Sequence, residues 1–143
     1  MGVRRDGREA AIQLLYQRDL NEGTSASDSL ETFWKIRNAA EDVRTFCADL
    51  ARGVIEHQST IDALVEKHVE NYEMNRVAAV DRNILRLAIY EMLYRRDIPP
   101  VVSINEAIEL AKSLGSPESG RFVNGVLDRV RADIDRPART SAN

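Results

Sequence analysis

The chain is poor in the residues that staple, punctuate or anchor a fold. One cysteine in 143 residues excludes an internal disulfide, and Cys47, between Phe46 and Ala48, reads as a small buried hydrophobe in a reducing compartment. No apolar run approaches the roughly 20 residues that span a bilayer. The N-terminus MGVRRDGREAAIQLLYQRD has no uncharged apolar core, so no secretory signal is expected. There is no glycine-rich phosphate loop, no H-E-x-x-H, no C-x-x-C, no internal repeat and no low-complexity tract. A net charge of −3 argues against indiscriminate polyanion binding but leaves room for a local basic patch. No segment carries a strand period.

What is present is helical periodicity almost throughout. Ile12, Leu15, Tyr16 and Leu20 form the stripe of a first helix over residues 4 to 20. A polar loop at 21–29 follows, then a short helix with Leu30, Phe33 and Trp34, capped by Asp28 and Glu31. A third helix over residues 40 to 58 carries Val43, Phe46, Cys47, Leu50 and Val54; a fourth, capped by Ser59 and Thr60, carries Ile61, Leu64, Val65 and Val69. The fifth, over residues 76 to 95, is apolar nearly all round, the mark of a buried central helix, until Asp97-Ile98-Pro99-Pro100 breaks it.

The sixth and seventh helices have the clearest end signals. Ser103 with Glu106 spells a capping box, and Gly115 suits a left-handed terminator. Ser116 and Pro117 suit an N-cap and first position. The expected architecture is all-α, with about seven helices in two packed helical subdomains, roughly residues 1–58 and 59–136 of a single domain, before a disordered tail at 137–143.

No catalytic or metal-binding constellation emerges, and no cofactor is called for. His57 and His68 lack a ligand partner at helical spacing and suit capping or partial burial. Glu91 points along an apolar face, so it needs an arginine or the backbone N–H groups of the loop at 99–103. Asp81, Arg82 and Arg86 punctuate the central helix as a solvated stripe or a docking face. Arg4, Arg5 and Arg8 crowd a helix N-terminus, where the macrodipole already disfavours positive charge; the placement suits an external phosphate, or else, diluted by Asp6 and Glu9, a short basic terminus without function. Glu118, Arg121, Asn124 and Asp128 share a polar side of the last helix, and Phe122 beside them is either a base-stacking ring or the edge of the core. Gly125 interrupts the helical period and suits close approach by a helix or a ligand.

These motifs in combination resemble the NusB family of bacterial transcription antitermination factors. The matching runs are REA at 8–10 with LY at 15–16, DRNILRLAIYE at 81–91, VSINEA at 102–107 and FVNGVLD at 122–128. The resemblance implies a non-enzymatic, cytoplasmic adaptor that binds single-stranded boxA RNA of ribosomal RNA leaders. It would act with NusE, which is also a small-subunit ribosomal protein, and other Nus factors to let RNA polymerase read through terminators. It implies RNA contacts at Arg4, Arg5 and Arg8 and at Glu118, Ser119, Arg121 and Phe122, and a protein-partner side at Asp81 and Arg82. Asp6 and Gly7 depart from the family's arginine-rich start. Monomer and homodimer both stay open. Two other readings compete: a protein-binding helical scaffold without RNA affinity, and the helical start of a ribosomal RNA cytosine methyltransferase. The latter's glycine-rich cofactor loop and cysteine motif are missing from these residues.

Overall fold

The computed structural model describes residues 2–20, 39–69 and 77–134. They form helices α1 (Val3–Leu20), α2 (Glu41–Glu56), α3 (Gln58–His68), α4 (Ala79–Tyr94), α5 (Pro100–Leu114) and α6 (Ser119–Asp133), with no strand among the described residues. The loop at 21–29, the short helix after it and the tail at 137–143 lie outside the described residues.

The near-continuous apolar pattern of α4 has the expected outcome. Ile84, Leu85, Ile89 and Met92 are all buried, and α4 packs against each of the other described helices. One side of it receives α1 and α2, whose Ala10, Ala11, Leu14, Leu50 and Val54 are buried; the other receives α3, α5 and α6, with Ile61, Ala111, Val123 and Leu127. Each large side chain removed from water contributes about 1.5–3 kcal/mol. Tyr16 and Leu20, expected in the α1 stripe, are exposed instead. No described helix is long and apolar enough to cross a membrane.

Gly53 sets how closely α2 approaches α4. A Cβ there would collide with the Tyr90 ring. Gly53→Ala is therefore expected to destabilise the fold by about 1–3 kcal/mol through overpacking, although alanine has the better helix propensity. An unchanged thermal midpoint would show that the ring can move aside freely.

Helix ends differ from the sequence signals in instructive ways. Helix α5 begins at Pro100, with the Pro99 carbonyl accepting from Val102 N (2.9 Å), so Ser103 and Glu106 sit inside the helix and no capping box forms. Proline at the first position has no N–H to leave unpaired, which makes this earlier start favourable. Gly115 does end α5, but at φ −97° and ψ −163°, not in the left-handed region. Glycine is required there for space: a Cβ would strike the Ser119 side chain and lie 2.8 Å from the Ala111 carbonyl oxygen. The helix that follows starts at Ser119, with Ser116 and Pro117 in the turn before it. The Ser119 hydroxyl accepts from Ser116 N–H at 2.9 Å. His57 precedes α3 directly and no side chain caps that helix, so Ser59 and Thr60 are not caps.

Candidate nucleic-acid interface

The N-terminal arginines all meet carboxylates from the second half of the chain. Arg8 donates from Nε and Nη2 to the two oxygens of Glu91, at 2.8 and 2.9 Å. The Ser103 hydroxyl donates to Glu91 Oε1 at 2.8 Å. Arg8 is 2 % exposed and Glu91 1 %. An arginine and a serine thus satisfy Glu91, and the loop backbone does not. Arg5 donates twice to Glu106 Oε2, at 3.2 and 2.8 Å, and this bond holds its guanidinium above the ordinary arginine pKa. Arg4 reaches Asp97 at 3.2 Å.

Charge unfavourable at the start of α1 is therefore offset from within, and no external anion is needed to explain it. The pairs differ in depth. Arg4 and Arg5 keep 52 % and 41 % of their side chains exposed. Exposed ion pairs contribute about 0–1 kcal/mol, which makes the Arg4–Asp97 pair weak, whereas Glu106 is only 19 % exposed and holds Arg5 more firmly. Arg8 is sealed in, and its place is structural.

Phe46 carries guanidiniums around its ring. Arg4, Arg8 and Arg95 stand 5.4, 5.6 and 5.4 Å from its centroid. Arg95 also donates to Asp97, holding that carboxyl below the usual range, so Arg4, Asp97 and Arg95 form one charged run at the end of α4.

A groove of about 540 Å³ leads away from Arg5 along α5, lined by Val102, Asn105, Glu106, Ile108, Glu109 and Lys112. Its far end reaches the second segment of interest, since a Cβ on Gly120 would lie 3.4 Å from Lys112 Cγ. Glu118 and Arg121 are exposed there. Ser119 is buried, its hydroxyl engaged with Ser116, and Phe122 packs half-buried against the core. Asn105 and Lys112 were missed as candidates, although their spacing of seven places them on one exposed face of α5. Among the described residues, a Cβ on Gly125 would meet only Arg129 Nη1, at 3.7 Å, and no helix packs against it.

Asp81 and Arg82 are not on a solvated stripe. Asp81 is buried, and its Oδ1 has no hydrogen-bond partner. Arg82 donates to Asp19 Oδ2 at 3.2 and 3.0 Å and to the Val77 carbonyl at 3.3 Å. Arg86 grips both oxygens of Asp62, at 2.8 and 2.9 Å, and touches Asp19 and Asn83. The like-charged pair is neutralised by acids from α1 and α3.

Burial pushes the Asp19 carboxyl up, but the hydrogen bond from Asn83 and the charges of Arg86 and Arg82 outweigh it and hold the group below its usual range. A depressed carboxylate contributes stability above its unfolded pKa of about 3.9 and loses it as pH falls through the folded value. Asp19→Asn is thus expected to be less stable than the parent at neutral pH and to converge with it on acidification. Parallel curves of unfolding free energy from pH 7 to 2 would contradict this.

The description "NusB family" belongs to a family model that matches residues 5–132. The chain is 45 % identical over 141 residues to a transcription antitermination protein NusB of Myxococcus xanthus, covering 96 % of this chain and 100 % of the relative. A T. maritima NusB structure superposes with TM-score 0.81 at 35 % identity, covering 97 % of this chain and 93 % of the other. A structure of the antitermination factors NusB and NusE in complex with dsRNA gives TM-score 0.84 at 27 % identity, covering 94 % and 99 %.

Proposed function

Because the chain belongs to the NusB family, we propose that it is a transcription antitermination factor. In this role it binds boxA RNA of ribosomal RNA leader transcripts together with NusE, within the antitermination complex of RNA polymerase. It works in the cytoplasm as an adaptor, not as an enzyme. The observation that carries the RNA assignment is the pair of partly exposed arginines, Arg4 and Arg5, with Arg5 at the head of a groove that runs to Lys112.

Phosphates displace Asp97 and Glu106 from these arginines and position the strand; Lys112 and Arg121 extend the track towards Glu118, Ser119 and Phe122. Arg8 supports the site from below by fixing α1 against α4 and α5. NusE docks on the side of Asp81 and Arg82, away from the arginine end of α1.

The test is fluorescence anisotropy of labelled boxA-type RNA with this protein, alone and with NusE, at two salt concentrations. Salt-sensitive binding that strengthens with NusE is expected. Arg4→Ala with Arg5→Ala should flatten the log–log salt slope by roughly 0.7 per lost contact, while affinity for NusE stays unchanged. No RNA binding by folded protein in either mixture would leave a protein-only scaffold. Equal loss of both affinities in the double variant would sink the division between the two surfaces.

A further inference from the structure

Three rings form a ladder where α2, α3 and α4 meet. His57, the residue joining α2 to α3, lies face to face with Tyr94, with centroids 3.9 Å apart and planes inclined by 16°. Tyr90 flanks both, 6.3 Å from His57 and 5.6 Å from Tyr94. Gly53 leaves the space that Tyr90 fills, and burial raises the pKa of that phenol, keeping it neutral. The outermost ring, Tyr94, is 39 % exposed. Among the described residues, His57 and Tyr90 are the rings that touch it.

The ladder adjoins the arginine end of α1. The residue after Tyr94 is Arg95, whose guanidinium shares the Phe46 ring with Arg4 and shares Asp97 with it as well. Arg96 is exposed next to it. A flat apolar ring, held rigid by stacking and set beside cations, has the composition of a single-strand platform: the ring takes a base and the cations take its phosphates. Phe46 cannot serve, because it is buried and already carries guanidiniums.

We propose that Tyr94, backed by His57 and Tyr90, stacks on a nucleobase of single-stranded RNA whose phosphates meet Arg4 and Arg95. The proposal rests on the RNA-binding function above and places its base contact on the opposite flank of α1 from the α5 groove.

The experiment uses boxA-type RNA carrying 2-aminopurine at one position at a time, titrated with the full chain and NusE. Wild-type protein should quench the probe at one or two adjacent positions. Tyr94→Ala should abolish that quench and weaken binding by about 5-fold to about 160-fold, the range for loss of one stacked base. The salt slope should stay as it was, because phosphate contacts remain. Tyr94→Phe should retain both quench and affinity, and circular dichroism melts establish that each variant is folded. If Tyr94→Ala binds and quenches like wild type, whose binding still falls with salt, the platform is wrong and the RNA-binding function stands. If wild-type protein binds no RNA, the function fails and the platform with it. If Tyr94→Ala lowers affinity for NusE and leaves RNA binding intact, the ring is a protein contact and the proposal is overturned.

Discussion

Glu91→Ala is expected to destabilise the folded chain by about 3–5 kcal/mol, the cost of leaving one member of a buried ion pair uncompensated. At roughly 2–4 °C per kcal/mol for a chain near this size, the thermal midpoint should fall by about 6–20 °C. The size of the effect follows from what remains. Arg8 would lose its two hydrogen bonds to Glu91 while 98 % buried, and the Ser103 hydroxyl would lose its acceptor. Glu106 Oε1, 3.7 Å from Arg8 Nη1, is too far to replace them without movement. Arg8→Met combined with Glu91→Met should recover much of the loss, since an apolar pair of similar volume leaves no buried charge. Full stability of Glu91→Ala, with binding to RNA or NusE lost, would move this pair from the scaffold into the binding surface.

Arg86→Ala should be comparably damaging, again by about 3–5 kcal/mol at neutral pH, and its pH dependence should identify the cause. Burial lowers the Arg86 pKa, but Asp62 and Asp19 more than reverse this. Without the guanidinium, Asp19 loses one of the charges that hold its carboxyl below the usual range, and Asp62 is left opposite it as a like charge. The deficit relative to the parent should therefore be greatest near pH 7. It should shrink as pH falls through the carboxylate range, because the parent loses the pairs that Arg86 makes while the variant has only the Arg82–Asp19 pair to lose. A deficit that stays constant down to pH 3 would mean that lost packing by the arginine stem dominates.

The helices and the identity of the central one were legible because apolar spacing depends on burial, and burial is what the fold maximises. The ends of α5 and α6 were not. Ser103 and Glu106 match the local pattern of a capping box, yet Ser103 donates to Glu91 and Glu106 accepts from Arg5. Those partners are 12 and 101 residues away in sequence, so local pattern carries no trace of them. Gly115 shows a different limit: the atoms it must avoid, the Ser119 side chain and the Ala111 carbonyl, are only four residues away, but their approach depends on how the turn into α6 folds back. At the site, the arginines were visible as an oddity of charge at a helix start, and Glu91 as an acid on an apolar face. That each explains the other became apparent only in three dimensions. The groove along α5 and the ring ladder depend on which faces meet, and one-dimensional spacing marks faces without pairing them.

The Arg8–Glu91–Ser103 lock also orders events during synthesis. Arg8 leaves the ribosome early, while its acceptor follows 83 residues later. At about 5–20 residues per second this is a wait of roughly 4–17 s. Until Glu91 and Ser103 emerge, the first helix can rest on α2 but cannot be locked, and its arginine remains hydrated. The nascent chain therefore completes its N-terminal docking only after most of the protein has been made, and a ribosome stalled before residue 91 would carry an α1 still free to dissociate.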